Sequence, residues 1–290
     1  MKQIEWENEF AIMSSEIGRR WDVTWTEYTL HLKDGIKAFE QKMWINKSQY
    51  EDHGFCDCGG MDTMQIHIPG SVTSIGHGAF SEISSIRKLF IPESVEVIDH
   101  YAFYKCKSLE ELTVYATCIG HSSFTSCRQL KKVTIGQTVS EIDSMAFEGC
   151  RSLQEIEIKT GLKKIENLAF CDCKKLERIE IPYTVECIGE NVFMNCYSLK
   201  EIKVPEHLLS MYGKEYFMPY PGFTGVNIIA VSTPKGYKVA EKVANNKECS
   251  KCSSTKDVGS GSAESSMEAS IPMRKSYNGI PRKNLIIRKK

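Results

Sequence analysis

The apolar residues of this chain fall into columns. Phenylalanine stands at Phe80, Phe103, Phe124, Phe147, Phe170 and Phe193, at spacings of 23, 21, 23, 23 and 23 residues. Three residues after each comes Ile83, then Cys106, Cys127, Cys150, Cys173 and Cys196; three further on stand Ile86, Leu109, Leu130, Leu153, Leu176 and Leu199. The same register aligns Leu89, Leu112, Val133, Ile156, Ile179 and Ile202, then Ile91, Val114, Ile135, Ile158, Ile181 and Val204, and finally Ile75, Ile98, Ile119, Ile142, Ile165 and Ile188. Self-similarity at a fixed period marks a repeat architecture. Within Leu109 to Val114 the pair Leu112/Val114 alternates with polar residues, the period of a strand with one buried face. Pro69, Pro92, Pro182 and Pro205 are expected to end these strands, since proline has no N–H to give to a ladder. One unit of about 23 residues cannot bury its apolar columns alone, so neighbours must stack. The pattern predicts a β-rich repeat solenoid of parallel strands.

The motif Ile-x-x-x-Ala-Phe-x-x-Cys-x-x-Leu-x-x-Ile-x-Ile-Pro, carried by "SVTSIGHGAF" and "YAFYKCKSLEELTV", resembles the leucine-rich repeats of the BspA-like (Treponema-type) class. The resemblance covers residues 65 to 205; the third unit, Glu111 to Lys131, is two residues short, and Ile83 stands in place of cysteine in the first. It implies a right-handed leucine-rich-repeat solenoid closed by N- and C-terminal caps. It also implies a binding scaffold, often at the cell surface in bacteria and some protists, and no reaction.

Around the repeats, residues 1–64 read as an N-terminal cap with a degenerate first rung, 65–210 as the repeats, 211–247 as a C-terminal cap and 248–290 as a disordered linker and basic tail. Trp6, Trp21, Trp25 and Trp44 all fall in the first segment, where aromatic rings would cover the open end of the stack. After Val204 a seventh unit fades, with Tyr216 in the phenylalanine column; "VNIIAV" reads as a strand and "PKGYKVAEKVANN" as a short helix. "SSTKDVGSGSAESS" has linker composition.

Composition adds limits. Lys+Arg and Asp+Glu are both 37, so the net charge is zero, which argues against a chain basic throughout. The balance is uneven: residues 271–290 carry seven cations and no acid, leaving residues 1–270 at −7. That tail could make weak contact with a polyanion or an anionic membrane. Acidic residues occupy the place of a signal peptide's basic segment, which predicts a cytoplasmic location with reduced thiols, or a surface location if the true start lies upstream.

Candidate chemistry is sparse. The cysteine column is expected to face inward as small buried hydrophobes. Cys56-Asp57-Cys58 and Cys249-Ser250-Lys251-Cys252 resemble two halves of a zinc site, but the first half has the wrong spacing, and no metal or other cofactor is expected. His77, His100 and His121 occupy one column and should stack, as an exposed turn column or a metal- or pH-responsive one. The outward column Lys88, Glu111, Lys132, Glu155, Arg178 and Glu201 alternates in charge, which favours neighbouring strands in register. Beside it lie Phe90, Thr113, Thr134, Glu157, Glu180 and Lys203. Phe90 is the lone apolar member, so no large apolar hot spot is expected. Glu157 and Glu180 would set two carboxylates on one face, as glycosidases do, without a visible pocket. These twelve residues form the candidate interaction face of a non-catalytic scaffold for an unknown protein or glycan. A surface adhesin lacking its signal, or a metal- or pH-responsive protein built on the histidines, are the other readings.

Overall fold

The computed structural model describes residues 2–7, 11–20, 23–39 and 63–221, then 223, 225–234 and 237. The chain divides into two units, Met1–Lys251 and Cys252–Lys290, and every described residue belongs to the first. The tryptophan side chains, both cysteine pairs of the zinc pattern, the helix expected after Pro234 and the 248–290 segment lie outside the described residues.

Three strands, β1 (Lys2–Glu7), β2 (Ala11–Arg20) and β3 (Val23–Leu32), pair antiparallel, an arrangement the column pattern does not contain. The chain then enters the solenoid. Strand β3 pairs in parallel with β5 (Thr63–His67), Leu30 opposite Ile66, while β4 (Ala38–Phe39) pairs with the short strand β6 (Ser74–Ile75). From there each rung gives two strands. The short ones, β6, β8 (Val97–Ile98), β10 (Cys118–Ile119), β12 (Glu141–Ile142), β14 (Lys164–Ile165) and β16 (Cys187–Ile188), continue from β4 as one seven-stranded sheet. The long ones are β7 (Lys88–Ile91), β9 (Glu111–Val114), β11 (Lys132–Ile135), β13 (Glu155–Ile158), β15 (Arg178–Glu180) and β17 (Glu201–Pro205). Parallel register puts like on like: Ile98 beside Ile119, Leu112 beside Val133. The apolar columns thereby become continuous buried rows.

The densest row is the phenylalanine stack. The six rings lie 5.1 to 6.1 Å apart and within 9° of parallel. Offset aromatic pairs of this kind contribute about 0.5–1.5 kcal/mol each beyond the area they bury. The turn that presents each ring is set by backbone. The residues two before and two after each phenylalanine, such as Tyr101, Met145, Leu168, Lys105 and Asp172, have positive φ. A left-handed residue costs about 1–2 kcal/mol, and a hydrogen bond to the next rung offsets it: Tyr101 N–H donates to His121 O at 3.1 Å, Met145 to Asn167 at 3.0 Å, Leu168 to Glu190 at 3.0 Å.

Past the repeats, the expected seventh unit is replaced. Strand β17 ends at Pro205, as expected, and the chain passes directly into helix α1 (Glu206–Tyr212) where a short strand would stand. Gly213, at φ 75°, terminates the helix. Tyr216 then packs on Tyr212 and donates to Ile188 O at 3.1 Å, while Phe217 is buried in the core. The segment read as a strand forms β18 (Asn227–Val231), parallel to β17. Among the described residues no helix is long and apolar enough to cross a membrane.

Candidate interaction face

Alternation along the long strands turns Lys88, Glu111, Lys132 and Glu155 outward in one register, each opposite the next. The charges meet in twos: Lys88 to Glu111 at 3.0 Å and Lys132 to Glu155 at 3.4 Å. The neighbouring column repeats the rule, with Glu110 held between Arg87 (3.1 Å) and Lys131 (2.6 Å) and Glu177 bonded to Lys200 (2.9 Å). The Lys131 hydrogen bond, helped by Arg87, lowers the Glu110 carboxyl below its ordinary value.

The face is nevertheless two sheets. Strands β7 to β13 form one and β15, β17 and β18 another, so Arg178, Glu180, Glu201 and Lys203 stand apart from the other eight residues of the predicted face. The ladder stops at a proline. Ile91, Val114 and Ile135 each accept a bond from the N–H of Tyr115, Gly136 or Lys159 in the next rung. The residue that would serve Ile158 is Pro182, which has no N–H. Gln154 O likewise receives no backbone bond among the described residues, whereas Arg87, Glu110, Lys131 and Glu177 do. Pro92 marks the corresponding division between β5 and β7. So the signs still alternate from Glu155 to Arg178, but the strand pairing that would bring them together is interrupted there, and Arg178 makes no ion pair among the described residues. Ile156 and Ile158 are only half-buried where their column neighbours are buried. A cleft of about 680 Å³ opens at the junction, lined by Ile156, Glu155, Glu177, Lys175 and Arg178 among others.

At the other end of the face Phe90 is not alone. It is 55% exposed, and the Tyr115 ring lies 5.9 Å away. Tyr115 lies close over Gly136, where an added Cβ would meet the ring at 2.1 Å. Thr113 and Thr134, half-buried, follow Phe90 along its column. The result is a small aromatic patch running into a smooth hydroxyl-bearing strip. Phe90, the lone apolar member of its own column, thus has an aromatic neighbour from the next column.

The other sequence candidates sort by burial. Cys106, Cys127, Cys150, Cys173 and Cys196 are buried, and each thiol donates to the carbonyl of the phenylalanine in the preceding rung at 3.1 to 3.4 Å. Burial pushes the Cys106, Cys150 and Cys173 thiols well up and those of Cys171 and Cys196 to about 12, so thiolate chemistry is suppressed. The histidines do not form the expected stack. His77 meets Tyr101 at 5.7 Å, Tyr101 meets His121 at 5.7 Å, and only His100 and His121 touch, edge on, at 5.7 Å. Burial lowers the His121 imidazole, against the pull of Asp143. Among the described residues no cluster of three metal-binding groups exists. Glu157 and Glu180 lie on strands that do not pair, and each is held by a lysine: Glu157 by Lys159, Glu180 by Lys203 at 2.9 Å.

Stacked parallel rungs and a continuous phenylalanine spine define a leucine-rich-repeat solenoid. Residues 46–119 and 117–233 match the BspA type leucine rich repeat region, in six copies. The chain belongs to that family. Among solved structures it is similar to a leucine-rich repeat protein from Bacteroides ovatus ATCC 8483, with 22% identity and a TM-score of 0.50, over 70% of this chain and 54% of that one. A leucine-rich repeat protein from Eubacterium ventriosum ATCC 27560 is 26% identical with a TM-score of 0.42, over 45% and 36% of the two chains. A leucine rich cell surface protein from Faecalibacterium prausnitzii A2-165 is 20% identical with a TM-score of 0.37, over 70% and 54%. The chain thus spans about half or less of these relatives' lengths. No curated protein matches.

Proposed function

We propose that this chain is a non-catalytic interaction scaffold that takes a protein or glycan partner on the face of β7, β9 and β11. The observation that carries the reading is the exposed Phe90 ring beside Tyr115, bordered by Thr113 and Thr134. Aromatic side chains of this kind are the usual energetic anchors of binding surfaces, and here they sit on hydrogen-bonded strands that hold them in place. The surrounding charges are already matched within the protein, so they steer and orient a partner more than they anchor it. The carboxylates that would serve an acid–base pair are each engaged by a lysine, which supports a binding role over a hydrolytic one.

The test is affinity capture from the source cells, and binding to a glycan array, with the full chain and its Phe90→Ala/Tyr115→Ala variant. Ligands retained by the parent and lost, by about tenfold or more, from the variant are the expected result for a hot spot of two aromatic side chains. Equal retention by both proteins would remove the sheet face from the binding site.

A further inference from the structure

Between the cysteine and leucine columns each rung carries two residues, and in four consecutive rungs the first is a cation: Lys107, Arg128, Arg151 and Lys174. All four are exposed. With rungs about 4.8 Å apart, they form a line roughly 14 Å long, on the edge where the phenylalanine turn leads into the long strands. Among the described residues none of them makes an ion pair, although the column beside them is bridged at Arg87–Glu110, Lys131–Glu110 and Lys200–Glu177. Lys174 instead lies over the Tyr197 ring, at 5.9 Å. The line ends at Lys174: the cleft between β13 and β15 beside it carries Lys175 and Arg178 but also Glu155, Glu157 and Glu177, so its charge is mixed.

Folding gives no reason for such a run. Like charges on directly facing positions cost about 0.2–1 kcal/mol per pair, and the sheet face avoids that cost by alternating. The ridge also stands on a chain that carries −7 over residues 1–270, so it is a local excess rather than part of a basic surface. A row of unpaired cations at even spacing suits a linear polymer carrying oxyanions. The two central positions are arginines, whose planar forks grip sulfate or phosphate oxygens with two parallel hydrogen bonds. The residues beside them, Ser108, Gln129 and Ser152, add neutral polar groups able to meet hydroxyls. No aromatic ring is interleaved with the cations to stack bases, which single-stranded nucleic acids require; Tyr197 stands only at the end.

We propose that the Lys107–Arg128–Arg151–Lys174 ridge binds a sulfated polysaccharide laid along the solenoid axis. This site lies beside the sheet face and does not depend on it. The experiment is fluorescence anisotropy with a labelled heparin octasaccharide at low salt, on the full chain with the seven cations of residues 271–290 replaced by serine so that the tail adds nothing. Arg128→Glu/Arg151→Glu is expected to weaken binding about tenfold or more, Lys163→Glu, beside β14 and outside both sites, less than about twofold, and rising salt to erase the difference. The neutral pair Arg128→Gln/Arg151→Gln, with a melting curve for each variant, separates lost contacts from lost fold. Unchanged affinity in both ridge variants would overturn the proposal. Equal affinity for a single-stranded oligonucleotide of the same charge would overturn the choice of a sulfated glycan. Either result leaves the sheet-face reading, tested through Phe90 and Tyr115, where it stands.

Discussion

On the sheet face the column Lys88, Glu111, Lys132, Glu155 changes sign at every rung, whereas on the adjoining edge Lys107, Arg128, Arg151, Lys174 keeps one sign through four. Both columns stack at the same rung spacing, so the same repulsion is available to both. The strands of the sheet face are locked into register by ladder hydrogen bonds, and its charges settle against one another. The four cations of the edge column make no ion pair among the described residues, and on the proposed reading their charges remain for something outside the molecule. In a repeat protein, paired columns therefore speak of the scaffold and unpaired ones of what the scaffold meets.

The contrast can be broken most strongly on the sheet face. Glu111→Lys would put three lysines in successive rungs, replacing the Lys88 ion pair with two like-charge contacts. At about 0.2–1 kcal/mol for each attraction lost and each repulsion gained, the expected loss is about 1–2 kcal/mol in denaturant unfolding at low salt. Raising salt to about 1 M shortens the Debye length to ~3 Å and should restore most of it. A loss that ignores salt would mean that packing, not charge, governs this column.

Removing charge in the neighbouring column should cost less. Glu110→Gln loses the bridges to Lys131 and Arg87, worth below about 1 kcal/mol for a surface group of this exposure. The pH dependence is the sharper readout. Because Lys131 and Arg87 lower the Glu110 carboxyl in the folded state, its contribution is complete above the unfolded carboxyl value and is lost as pH falls through the lowered one. The difference between parent and variant stability should shrink on acidification through that window; a difference constant down to pH 2 would contradict the bridge.

How far this arrangement was readable from residues alone differs by column. The interior rows were legible because burial leaves isoleucine, leucine, phenylalanine and cysteine at fixed spacing. The left-handed turn positions were not, because Gly78, Tyr101, Ser122, Met145, Leu168 and Asn191 share no side-chain property; backbone bonds to the next rung set their conformation. Pro182 marks a strand end in the sequence. Its second consequence, an absent donor to the rung before, opens the cleft and leaves Ile156 half-exposed. Tyr115 is not marked by any column pattern, because it belongs to the linking column and reaches Phe90 only in three dimensions. The basic ridge is legible in the sequence, in the first of the two positions between the cysteine and leucine of each repeat.

Reversing a ridge charge should have the smallest effect on stability, and the opposite sign. Arg151 faces Arg128 and Lys174 in the adjoining rungs and makes no ion pair among the described residues. Arg151→Glu therefore removes two repulsions and supplies two attractions, but between exposed turn residues free to turn into solvent rather than between facing strand residues, so at low salt the folded state should be unchanged or more stable by up to about 0.5 kcal/mol, within the range of ordinary surface changes. Thermal melts at low and high salt would show the gain vanish as the charges are screened. A destabilisation above about 1 kcal/mol would show that the guanidinium has a structural partner, and the ridge would then belong with the paired columns. A gain in stability accompanied by loss of heparin binding would separate the two rules within one residue: a charge that the fold does not need and the ligand does.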